Sequence, residues 1–113
     1  MSITLNTAVP NNADWKTQFQ FNDGKTGDLI DFTGATIEIE VRDQDGGIRI
    51  EATTGNGKIA IISPGIFELT VPVLEMKNLC AGTYNMGGVY LLNGETISLF
   101  TGSISARDGI ARI

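Results

Sequence analysis

The stretch Asp31-Phe32-Thr33-Gly34-Ala35-Thr36-Ile37-Glu38-Ile39-Glu40-Val41-Arg42 limits the fold more than any other part of the chain. A tight turn at Thr33-Gly34 leads into strict alternation. Ile37, Ile39 and Val41 point to one side, and Glu38, Glu40 and Arg42 to the other. Successive side chains of a strand face opposite ways, so period two marks a strand with one dry face and one wet face. A chain built on such strands must stack sheets to cover their dry faces.

The rest of the sequence repeats the design. Ile3, Leu5, Thr7 and Val9 alternate before Pro10-Asn11-Asn12, which reads as a first strand or an extended arm. Trp15, Thr17, Phe19 and Phe21 form the apolar side of a second strand, and residues 22–28 a polar loop. Asp43-Gln44-Asp45-Gly46-Gly47 is a hairpin loop after the opening strand, and residues 48–54 return with Ile48, Ile50 and Ala52 facing in. Glu38 or Glu40 is expected to pair across the strands with Arg49. Lys58–Ile62 and Ile66–Val71 make two more strands about Ser63-Pro64-Gly65. Over residues 72–79 the period changes: Val73, Met76 and Leu79 are spaced for a short helix behind Pro72. Thr83 to Leu92 is a long strand with Tyr84, Met86, Gly88, Tyr90 and Leu92 on one face. Val89 and Leu91 are apolar on the other, which suggests cover on both sides. Asn93-Gly94 is a strong hairpin signal. In the closing strand, 95–106, Ile97 and Leu99 have the opposite parity to Phe100, Gly102, Ile104 and Ala106, so a bulge is expected near 99–100.

These elements predict an all-β fold, an immunoglobulin-like antiparallel β-sandwich of seven or eight strands with one short helix near 72–79. A single barrel is the alternative. The length of 113 residues predicts one domain over 1–113, with extended arms at 1–10 and 107–113. Fourteen glycines against three prolines point to many tight turns. A lone cysteine, Cys80, permits no internal disulfide and reads as a small buried residue.

Composition narrows the chemistry. The net charge is −5, with nine acids and four bases in residues 1–56 and four of each in 57–113. Without a basic patch, nucleic-acid binding is not expected. No apolar run is long enough for a membrane helix, and Met1-Ser2-Ile3-Thr4-Leu5-Asn6 lacks the pattern of a signal peptide, so synthesis in the cytoplasm is expected. With no histidine, neither a Ser-His-Asp triad nor a common zinc site can be assembled. Asp43 and Asp45 have the spacing of two calcium ligands, but the expected glutamate is replaced by Thr54. Gly24-Lys25-Thr26 matches the end of a phosphate loop whose first glycine is replaced by Phe19. No catalytic residue, cofactor or metal site is therefore predicted, and the chain reads as a non-enzyme. Trp15, Phe19, Phe21, Tyr84 and Tyr90 could supply a sugar-stacking platform, with Trp15 the best placed for partial exposure.

The turn at Asp31–Thr36 and its strand, Trp15-Lys16-Thr17-Gln18-Phe19-Gln20-Phe21, the run Gly65–Val71 leading to Leu79-Cys80-Ala81-Gly82-Thr83-Tyr84, and Phe100-Thr101-Gly102-Ser103-Ile104-Ser105 occur in a telling order. Together, over about residues 14–106, they resemble small phage and prophage structural proteins, β-sandwich domains similar to the N-terminal domain of baseplate upper proteins. Asn85-Met86-Gly87-Gly88 departs from that likeness, which usually has bulkier residues there. The resemblance implies a virion tail or baseplate component, made in a bacterial host's cytoplasm, that assembles with itself and with other tail proteins. It implies no enzymatic residues. Ile3, Leu5, Val9, Trp15, Ile110 and Ile113 are the expected interface residues. The alternative function is a carbohydrate-binding module for host adhesion that recognises a surface glycan.

Overall fold

The computed structural model describes residues 3–22 and 27–109, with the backbone alone at 3–5. Eight strands and one helical turn follow in order: β1 (Ile3–Pro10), β2 (Trp15–Gln20), β3 (Thr36–Arg42), β4 (Ile48–Thr53), β5 (Ile59–Ser63), β6 (Ile66–Val71), α1 (Val73–Met76), β7 (Gly82–Leu92) and β8 (Glu95–Arg107). They form two facing sheets, a wide one ordered β1-β8-β7-β3-β4 and a narrow one ordered β2-β6-β5. In immunoglobulin lettering these are A′-G-F-C-C′ and B-E-D. At the foot of β7 the Tyr84 hydroxyl donates to the Cys80 carbonyl at 2.8 Å, the tyrosine corner of that architecture.

The inward residues are those the alternation marks. Ile37, Ile39 and Val41 of β3, and Phe67, Leu69 and Val71 of β6, are all buried. Between the sheets the aromatic rings pack together. Phe19 stacks on Phe67 of its own sheet and on Phe100 of the opposite one, with centroids 5.3 and 5.6 Å apart. Phe32, from the turn before β3, stands edge-on to Phe67 and Tyr90 at 5.5 and 5.2 Å. Such pairs add about 0.5–1.5 kcal/mol each to the burial of their area.

The bulge lies where the parity change places it. Gly88 pairs with Phe100 and Val89 with Ser98, so Leu99 is the extra residue. Leu99 and Phe100 are consecutive and both buried, which a regular strand does not allow. The hairpin before it turns at Asn93 (φ 55°) and Gly94 (φ 82°), the two positive angles of a type I′ turn.

Several expectations are corrected. The sandwich is not wholly antiparallel: β1 runs parallel to β8, with Val9 opposite Ala106. Residues 3–10 are thus an edge strand, not an arm, and Val9 is buried in its own core and unavailable as a contact. At the other end, Asn11 binds the expected C-terminal arm. Its backbone N–H donates to the Arg107 carbonyl at 3.0 Å, and its amide donates to the Leu79 carbonyl and the Asp108 carboxylate, both at 2.9 Å. Its oxygen accepts from Gly109 N–H at 3.0 Å. A buried amide satisfied on both sides fixes the path of 107–109. Ile110 and Ile113 lie outside the described residues, as do the side chains of Ile3 and Leu5.

Ile48 is exposed rather than inward. The ladder shifts between Val41 and Arg42, leaving Arg49 unpaired between Ile48 and Ile50, so that Ile48 stands opposite Arg42 and shares its outward face. Cys80 is exposed, on the loop that carries the tyrosine corner. The helix is a single turn, with Met76 and then Leu79 buried beneath it. Its first N–H, on Val73, is capped by the Asp14 carboxylate at 2.7 Å.

The paired glycines of β7 have opposite constraints. A Cβ on Gly88 would sit 2.5 Å from Cε1 of Phe100, whereas one on Gly87 would meet nothing nearer than the Phe100 carbonyl at 3.6 Å. Gly88→Ala is therefore expected to lower stability by about 1–3 kcal/mol through overpacking. Gly87→Ala should stay within about 0.5 kcal/mol of the parent. Denaturant unfolding of the two variants checks the contrast.

Candidate binding face

On the outer face of the wide sheet, Gly87 leaves a gap in the row of side chains. The result is a depression of about 650 Å³ bounded by β3, β7 and β8. Glu38, Glu40 and Arg42 form its β3 wall, Asn85 and Val89 stand on either side of Gly87 along β7, and Ser98 and Thr101 line its β8 side. Strand alternation brings these residues together: each has the parity opposite to the buried set. The bulge at Leu99 resets the parity of β8, so that Ser98 and Thr101 share this face.

The β3 wall is electrostatically crowded. Glu40 faces Glu51 across the β3–β4 ladder and Glu38 faces Thr53, so the expected pairing of either glutamate with Arg49 does not form. Arg49 instead donates to Asp43 at 3.0 Å, because the register shift swings it toward the hairpin loop. Arg42 turns back along its own strand and donates to Oε1 of Glu40 from Nε and Nη2, at 2.8 and 2.6 Å. Carboxylate oxygens of Glu38, Glu40 and Glu51 lie within 4.8 Å of one another.

Like charges this close pull the proton affinities of the carboxyls apart. Glu38 holds its proton above the ordinary carboxylate range, first because it hydrogen-bonds Glu40, then through partial burial and the charges of Glu40 and Glu51. Glu40 is held below that range by the hydrogen bond from Glu38 and by Arg42. Three carboxylates could in geometry surround a cation, and the Arg42 guanidinium already offsets part of their charge.

Of the other acidic pair considered for metal binding, Asp43 is committed to the turn. Asp43 Oδ1 accepts from the N–H groups of Asp45 and Gly47 at 3.0 and 2.8 Å, and Oδ2 accepts from Arg49. These bonds, led by that of Gly47, hold the Asp43 carboxyl below its usual range.

Val89 and Leu91 complete the face. Expected to be covered, they are 37% and 43% exposed, side by side along β7 next to the depression. Of the expected interface residues, Trp15 is half-buried against the core from the narrow sheet, and Val9 is buried; neither reaches this face. The sequence signal for the site is Gly87-Gly88 in mid-strand, where a missing side chain marks a close approach or an open floor.

Because folding raises the affinity of Glu38 for its proton, its contribution favours the folded state at low pH and fades as pH rises through the raised value. Glu38→Gln keeps a donor for Glu40 and removes the repulsion. It should raise the melting temperature at pH 7, with the gain shrinking as pH falls into the carboxylate range. Thermal unfolding of both proteins across pH checks the sign.

No protein-family model and no curated protein sequence matches the chain. Among solved structures it is similar to the endo-β-1,4-mannanase from Thermotoga petrophila, with TM-score 0.57 and 10% identity, over 92% of this chain and 18% of that one. It is also similar to CopC from Methylosinus trichosporium OB3b, with TM-score 0.53 and 15% identity, over 96% of this chain and 89% of that one. The chain thus spans less than a fifth of the mannanase. At such identities the likeness concerns architecture alone, and it agrees with the strand order in making this chain a two-sheet β-sandwich.

Proposed function

We propose that this chain is a structural subunit of a phage or prophage tail or baseplate, joined to other tail proteins and to copies of itself by protein–protein contacts. The observation that carries the reading is the outer face of the wide sheet. Val89 and Leu91 present adjoining apolar surface beside a depression large enough to take side chains of a partner. Adjoining apolar side chains beside polar neighbours support such a contact surface. The charged groups alongside are satisfied within the chain and serve as a rim. The motif order over residues 14–106 supplies the phage context, and the virion is the corresponding location.

The carbohydrate reading needs an aromatic ring open to solvent. Trp15 and Phe19 are half-buried against the core, and every other aromatic residue is buried, so that reading has no observation in its favour. The mannanase likeness is one of shape and brings no sugar chemistry to this chain.

Val89→Lys, opposite Glu38, and Leu91→Glu, opposite Thr36, introduce charge at exposed positions and should leave folding intact within about 0.5 kcal/mol. Both are expected to lose incorporation when they complement a deletion of the gene in the producing phage, read as the protein content of purified particles. Particles that contain none of the parent protein, or that take up both variants as well as the parent, would contradict the proposal.

A further inference from the structure

The narrow sheet is one strand short. In the immunoglobulin arrangement strand A lies beside B, but here the first strand joins β8 in the wide sheet, and among the described residues β2 is left as an open edge. The ladder tells which backbone groups are left there. Phe21 N–H donates to the Gly65 carbonyl at 2.8 Å, so by alternation the main chain of Phe19, Thr17 and Trp15 points to β6. The N–H and C=O groups of Lys16, Gln18 and Gln20 point away, into the vacancy.

Of the other edges, those of β4 and β5 are guarded. On β4 the Asn56 amide donates to the Glu51 carbonyl and its oxygen accepts from Thr53 N–H, both at 3.0 Å, which plugs the ladder. β5 has five residues and is broken by an irregularity between Ile61 and Ser63. β2 has neither protection. Its six residues are regular, and Lys16 and Gln18 lean over the outer face toward Glu68 rather than across the edge. Its inward Trp15, Thr17 and Phe19 are only half-buried, on a strand with no edge-side neighbour among the described residues.

We infer that the open edge of β2 pairs antiparallel with β2 of a second copy of this chain, about a two-fold axis at Gln18. This axis is the register that engages all three edge-facing residues. Gln18 meets Gln18 of the second copy, and Lys16 meets Gln20. On the inner side Phe19 lies opposite Thr17, and Trp15 opposite Phe21. Moving the axis to Lys16 would set two ammonium groups against each other, and moving it to Gln20 would run past the end of the strand. The pairing joins two three-stranded sheets into one of six and covers the half-buried aromatics from the edge. A two-fold contact of this kind closes on itself, leaving the outer face of the wide sheet free in both copies. The inference deepens the assembly reading and rests on it for its biological purpose.

The full-length chain with Cys80→Ser provides a thiol-free parent for cross-linking. In an antiparallel hydrogen-bonded pair the Cα atoms are about 5.5 Å apart, within the roughly 4.4–6.8 Å span of a disulfide. Gln18→Cys should therefore give a covalent dimer on mild oxidation. Lys16→Cys should not, since its own counterpart lies four residues along, about 13 Å away. Gln18→Pro removes an edge-facing donor at a position where an edge strand accepts proline. It should keep the native circular dichroism and weaken the dimer by about tenfold or more in analytical ultracentrifugation. A parent that stays monomeric at all concentrations would overturn the inference, as would a dimer that Gln18→Pro leaves unchanged and Gln18→Cys does not link. A dimer that never enters tail particles counts against the tail reading alone, whereas a monomer found in particles counts against the dimer alone.

Discussion

The packing of Phe100 between Gly88 and Phe19 is the contact on which the two sheets depend. Phe100 belongs to the wide sheet and Phe19 to the narrow one, and their rings lie 5.6 Å apart and nearly parallel. Phe67 continues the stack on one side, Phe32 meets Phe67 edge-on, and Tyr90 meets Phe32 in turn. A domain of this size has little area to spare, so a cluster joining both sheets contributes a large share of what holds them together.

That inner contact also shapes the outside. Phe100 can lie flat on β7 only because residue 88 has no side chain, and it reaches the interior only because the bulge at Leu99 resets the parity of β8. The same bulge brings Ser98 and Thr101 onto the outer face, and Gly87, next to Gly88 but of opposite parity, leaves the floor there open. The depression and the aromatic core are two sides of one short piece of strand pairing. A face made this way is rigid, since its backbone is fixed by buried rings, and a rigid apolar surface loses little entropy when a partner docks.

Much of this can be read from residue order, because it depends on local parity. The alternation of β3, the Asn93-Gly94 turn, the bulge near 99–100 and the inward set of β6 all follow from neighbours in sequence. What could not be read depends on strand register and on which outer surface stays open. Val89 and Leu91 lie on the outer face of the wide sheet and stay exposed there, and the bulge at Arg49 turns Ile48 to that same face. Val9 illustrates the reverse: an apparent arm is buried because its strand turns parallel to β8, a long-range choice secured by Asn11. Arg49 misses Glu38 and Glu40 because one shifted register step moves it, and such a step leaves no mark in the alternation. The binding face shares this limit. Its glycine pair is visible in the sequence, while the proximity of Glu38, Glu40 and Glu51 to the gap is a property of strand register.

A double-mutant cycle between Phe19 and Phe100 tests most directly whether the sheets are joined through this stack. Phe19→Leu, Phe100→Leu and the double variant would be compared by denaturant unfolding. A coupling of about 0.5–1.5 kcal/mol is expected for a stacked aromatic pair. Strictly additive losses would mean that the rings share space without holding the sheets together, and the account would fail at its base.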